Sequence, residues 1–102
     1  MKLAIVGLGG SYSDYVAARI RSEHFDEVWG INCVGGIIHV DKTIMMDPVS
    51  RFLDSDDAGS QTGIARKFLE KNTKPIITCE MDSRVKHLEL YPLEAVIKRL
   101  NL

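Results

Sequence analysis

The residues Gly7, Gly9 and Gly10 stand immediately before the hydroxyls of Ser11, Tyr12 and Ser13. Glycines let a backbone turn tightly and approach a ligand closely, and a helix beginning after them offers unpaired N–H groups to an anion such as phosphate. The chemistry this run suits is the binding of a phosphate-bearing small molecule. A dinucleotide fingerprint would carry a third glycine at position 12, where Tyr12 stands, and no Gly-Lys-Ser or Gly-Lys-Thr follows as in a P-loop. The alternative is a tight strand-to-helix turn without a ligand.

Polar residues at the ends of later apolar runs form the rest of the candidate set. Asn32 closes a strand pattern about where dinucleotide folds keep a ribose-binding acid, and its amide can bond a ribose or base. It lacks the charge of an NAD site, and it equally suits the turn into Gly35-Gly36. Asp47 can accept from a ribose hydroxyl, hold a divalent ion beside a diphosphate, or cap the helix that Pro48 opens. Glu80 and Asp82 follow another strand pattern, where two acids can do acid–base work or sit in a solvated loop.

Other residue types are read as structural. Ser11 is expected as a helix cap in a box with Asp14, since no Gly-x-Ser-x-Gly elbow surrounds it. Cys33 and Cys79 are expected as buried free thiols. His24, His39 and His87 have no ligand-like spacing, so no metal or cofactor is implied. Trp29 is expected in the core, and Asp54 to Asp57 lack the spacing of a calcium loop.

These positions require alternating strands and helices. Leu3 to Val6 is a continuous apolar run, as in a strand covered on both faces of a parallel sheet. A helix follows with Val16, Ala17 and Ile20 inward, then a second strand from Glu27 to Asn32. Thr43 to Met46 reads as the third strand, followed by a short helix after Pro48 and a loop from Asp54 to Ser60. From Thr62 a helix turns Ile64, Phe68 and Leu69 inward, and Pro75 to Cys79 is the fourth strand. Leu88 and Leu90 mark a short, half-exposed fifth, and the last helix starts at Pro92 with Leu93, Val96, Ile97 and Leu100 on one stripe. The expected class is α/β, a three-layer Rossmann-like domain with a short, mostly parallel four- to five-stranded sheet.

A chain of 102 residues is a single domain, residues 1–102, and 45% apolar content is that of a globular protein. A net charge of −1 supplies no field to attract nucleic acid. The apolar run Leu3 to Leu8 is too short to cross a membrane, and Met1 leads straight into a strand without a leader. Two well-separated cysteines suit a reducing cytoplasm. A sheet this small has edges that few elements can cover, so a homo-oligomer is expected, paired through the Leu88–Leu90 segment and the stripe of the last helix.

The segments GLGGSYSDYVAARI, EVWGIN and TIMMDP together resemble the motility accessory factor family, Rossmann-like proteins related to transferases that use nucleotide-activated sugars. The likeness covers residues 3 to 48 and implies that Gly7, Gly9, Gly10, Asn32 and Asp47 touch a nucleotide. A full transferase would continue with more strands and an acceptor site, so the resemblance speaks to binding more than to catalysis. The sequence is also similar to small uncharacterised phage-encoded α/β proteins, for which the compartment would be the host cytoplasm. Three functions stay open. One is a nucleotide or nucleotide-sugar binding domain with Gly7, Gly9, Gly10, Ser11, Tyr12, Asn32, Asp47 and Glu80 at its site. Another is a small transferase or nucleotide hydrolase using Asp47 and Glu80. The third is a protein-interaction module without a ligand.

Overall fold

Short apolar runs broken by glycine, proline and charged loops set the length of every strand in this chain. A computed structural model describes residues 1–101, and for Ser11 the backbone alone. The elements in order are β1 (Leu3–Val6), α1 (Gly10–Ile20), β2 (Glu27–Ile31), a 3-10 segment (Asn32–Gly36), β3 (Lys42–Met45), α2 (Val49–Asp54), α3 (Gln61–Lys71), β4 (Ile76–Thr78), β5 (Leu88–Leu90) and α4 (Leu93–Leu100).

The architecture is α/β of Rossmann-like build around a five-stranded sheet, and all four strand pairings are parallel. The strands lie in sequence order, β1-β2-β3-β4-β5. Crossovers of one hand between strands laid down in sequence put their helices on the same face. The register agrees, because Val6, Gly30, Thr43, Ile76 and Leu88 form one row across the sheet. On the face of that row, Val6 and Val28 pack with Tyr12 and Tyr15 of α1, and with Val34 of the 3-10 segment. Further along, Met45 and Ile76 pack with Val49 and Phe52 of α2, and with Ala65, Phe68 and Leu69 of α3.

The opposite face carries Ile5, Trp29, Ile31, Ile44 and Ile77, which are half-buried or exposed. Lys42 sets its ammonium 5.2 Å from the centroid of the Trp29 ring, and the indole N–H of Trp29 donates to Glu27 Oε1 at 3.3 Å. Trp29 is therefore a half-covered residue of the second face, because odd positions of β2 point away from the helices. α4 has no buried residue, and Leu93 and Leu100 are 57% and 61% exposed.

Several local expectations change. α1 starts at Gly10 with Gly9 as a cap that makes no side-chain bond, so Ser11 stands inside the first turn and not at the cap. The side chain of Ser11 lies outside what is described. α1 turns Tyr12, Tyr15 and Ala18 inward, and Ile20 is 79% exposed. Tyr15 meets the Phe25 ring at 5.8 Å, which favours the aromatic side over the Val16–Ile20 side. In α3, Ala65 takes the inward place expected for Ile64. Cys33 is buried but Cys79 is exposed, because β4 ends at Thr78 and Cys79 leaves the sheet. The Gly35 and Gly36 pair has a packing cause. A Cβ on Gly35 would overlap the Phe68 ring, so glycine lets the 3-10 segment lie directly on α3.

Candidate functional site

Because every strand runs the same way, all strand exits lie on one edge of the sheet. Gly7 to Gly9 leave β1, Asn32 leaves β2, Met46 and Asp47 leave β3, and Cys79 and Glu80 leave β4. At roughly 4.8 Å per strand these four exits span about 14 Å. The fold thus brings Gly7, Gly9, Gly10, Ser11, Tyr12, Asn32, Asp47 and Glu80 to one side of the molecule. In doubly wound sheets the ligand crevice opens where strand order reverses. The sequential order here has no reversal, and β1 is an edge strand. The candidate site is accordingly a shelf with the glycine turn at one end.

At that end the chain is open. Gly9 has φ −88°, and a Cβ built on Gly9 or Gly10 would meet nothing within 4 Å. Neither glycine is demanded by packing, although Gly9, with ψ −138°, has a backbone that glycine adopts more readily than residues with a side chain. The 11-residue helix α1 begins here without a side-chain cap and with no acidic residue in its first turn. Tyr12 is anchored differently, since its amide donates to Gly9 O at 3.1 Å and its ring packs on the Val6–Val28 cluster.

Asn32 has φ 56°, and its Oδ1 accepts the amide of Met46 at 3.0 Å. That bond fixes the side chain between the ends of β2 and β3. The NH2 group of Asn32 has no protein partner among the described residues, so it can donate outward. Asp47 does not cap α2. Pro48 holds the cap position with no side-chain bond, and Asp47 Oδ2 accepts from Arg51 at 2.6 Å. The cause is their i,i+4 spacing, which brings opposite charges together along the chain's turn into α2. Arg51 is the residue the sequence reading missed, and this spacing was its signal.

Glu80 and Asp82 do not form a coupled acid pair. The Glu80 side chain is exposed and unpartnered among the described residues. Its backbone amide and carbonyl both bond the Thr78 hydroxyl, at 3.4 and 3.2 Å. Asp82 is gripped by Arg84, whose guanidinium also holds both oxygens of Asp54 at 2.7 and 3.0 Å. The hydrogen bonds from Arg84 pull the Asp82 carboxyl down to about 2 and lower that of Asp54 too. A carboxylate held that low cannot donate a proton near neutrality. The buried Cys33 thiol is pushed up by desolvation, which removes it as a nucleophile.

Among the described residues no three His, Cys, Asp or Glu side chains gather as a metal set, and no helix is long and apolar enough to cross a membrane. No protein-family model, curated protein or solved structure matches the chain.

Proposed function

We propose that this chain is a small-molecule-binding domain that holds a nucleotide or nucleotide sugar at the β1–α1 turn. The observation that carries the reading is the open backbone at Gly9 and Gly10. Neither glycine is required by packing, since a Cβ on either would meet nothing within 4 Å, and they sit where an uncapped helix presents its first amides. A phosphate laid there meets N–H groups and the positive end of the helix dipole. The free NH2 of Asn32, one strand over, supplies a donor for a ribose hydroxyl or base. Asp47, neutralised by Arg51, adds little repulsion to an anion.

A transferase or nucleotide hydrolase is the second reading, and it rests on Glu80, the shelf carboxylate that no cation holds. Self-association belongs to the same proposal. The apolar second face and the exposed Leu93, Ile97 and Leu100 of α4 are surfaces that a second copy would remove from water. The free thiols Cys33 and Cys79 suit a reducing compartment such as the cytoplasm.

A thermal-shift panel of nucleotides, nucleotide sugars and divalent ions tests the reading. A ligand that binds only the folded chain raises its melting temperature with concentration. A shift by at least one nucleotide, without turnover, is expected. Turnover of the shifting compound would move the assignment to an enzyme, and no shift with any compound would leave an interaction module.

A further inference from the structure

At the amino edge of the sheet, opposite the glycine turn, a cavity of about 450 Å³ opens between the 3-10 segment, α3 and the start of β4. We propose that this cavity is a second site, for a small organic phosphate whose anionic group meets lysines and whose apolar part rests on Ile64 and Phe68. Its rim carries Lys67, Lys71 and Lys74, and no carboxylate lines it. None of the three lysines is ion-paired among the described residues. The chain as a whole is nearly neutral, with a net charge of −1, so three lysines on one rim are a local concentration of positive charge. His39 adds a ring beside them, turned toward Asp41 at 3.4 Å.

Helix electrostatics alone do not account for the cluster. Lys71 lies in the last turn of α3, where a cation complements the dipole, but Lys67 is a turn earlier and Lys74 lies beyond the helix. The position of Lys74 is also fixed. Asn72 donates from Nδ2 to Lys74 O at 2.6 Å and accepts the Lys74 amide at 3.2 Å, which holds this part of the rim in shape before any ligand arrives. Below the rim, Phe68 and Val40 are buried and Gly36 keeps the wall next to Ile64 free of a side chain. Charge at the mouth over an apolar floor, in a volume of this order, suits a phosphate ester with a planar or apolar group.

Titration of the full chain, followed by amide NMR, tests the assignment with four probes: adenosine monophosphate, adenosine, inorganic pyrophosphate and a single-stranded RNA decamer. The monophosphate is expected to shift the Gly36, Lys67 and Thr73 amides saturably, adenosine not to, and pyrophosphate to bind more weakly. The Lys67→Gln/Lys71→Gln double variant should weaken the monophosphate about tenfold, the size of losing a charged hydrogen bond. These exposed positions leave the spectrum otherwise folded. Gly10→Ala, which keeps the helix and obstructs the glycine turn, should leave the cavity shifts unchanged, so failure of this site and failure of the glycine-turn site are read separately. No saturable shift at the cavity, or an unchanged affinity in the double variant, would overturn the proposal. Equal affinity for pyrophosphate would overturn the role of the apolar floor. Tighter binding of the RNA, falling steeply with salt, would replace the small-molecule site by a nucleic-acid surface.

Discussion

The side-chain carbonyl of Asn32 accepts the backbone amide of Met46, 3.0 Å away, and so ties the carboxyl end of β2 to that of β3. Asn32 also holds a left-handed backbone at φ 56°, which asparagine tolerates better than most residues. Two variants separate these roles. Asn32→Gly keeps the backbone and loses the bond, at about 1 kcal/mol, while Asn32→Ala loses both, at about 2 kcal/mol or more. Urea denaturation measures the difference, and equal midpoints for the two variants would remove the backbone contribution.

Gly10→Ala gives opposite signs for stability and binding. Gly10 is the first residue of α1 and has open space where a Cβ would stand. Alanine in a helix is better than glycine by up to about 1 kcal/mol, so the variant should melt higher. The added methyl also obstructs the approach of an anion to the first amides, so nucleotide affinity should fall. A variant that is more stable and binds every nucleotide as the parent does would exclude ligand approach at this glycine.

Much of this arrangement could be read from residue order. The strand-turn-helix start at Gly7 to Gly10, the Asp-Pro break at Asp47-Pro48 and the α4 stripe each carry a local signal, and all appear within a residue or two of their expected places. Strand order could not be read, because parallel pairing joins segments more than ten residues apart and nothing local says which pair. That order decides whether the glycine turn lies in a crevice or at an edge. The inward side of α1 differs from its apolar stripe for a related reason. Tyr12 and Tyr15 are chosen over Val16 and Ile20 by Phe25 and Val28, which belong to other elements. The ion pairs of Arg84 with Asp54, 30 residues away, are equally non-local.

The Arg84 cluster makes a pH prediction. The folded Asp82 carboxyl sits at about 2, below its usual 3.8, and Asp54 is lowered in the same direction. A depressed folded value contributes stability above the unfolded value and loses it as pH falls through the folded one. The parent should therefore exceed Arg84→Met in urea midpoint at neutral pH, and the gap should close between 3.8 and about 2. A gap that persists at the acid end would assign the effect of Arg84 to packing of its stem.

Gly35 and Gly36 should differ sharply as alanines. A Cβ at Gly35 overlaps the ring of buried Phe68 and comes within 3.0 Å of Val40 Cγ2. At Gly36 the nearest atom is Cγ2 of Ile64, whose side chain is 39% exposed and can swing aside. Gly35→Ala should cost about 1–3 kcal/mol, the usual range for overpacking, and Gly36→Ala far less. Thermal melts of the two proteins check the order, and similar losses would contradict the packing of the 3-10 segment on α3.

Light scattering and Trp29 fluorescence test self-association together. If copies pair through the second face, the mass exceeds 11.4 kDa at micromolar concentration and Trp29 emission moves to the blue as concentration rises. Leu93→Glu and Leu100→Glu should restore the monomer if α4 contributes, and cost little stability, since neither residue is buried. A mass of 11.4 kDa at all concentrations would rule the pairing out.

Strand order has a consequence for how the chain assembles. Each strand pairs with the one made just before it, so no pairing waits for a strand beyond the next one. Synthesis runs from the amino end, and each new strand can close onto a finished edge as it emerges. The β1–α1 turn is then shaped before the lysines of α3 exist, and the growing sheet always has two raw edges, β1 and the newest strand. Once complete, exchange of amide hydrogens should be slowest in β3, flanked by two strands on each side, and fastest at β1 and β5.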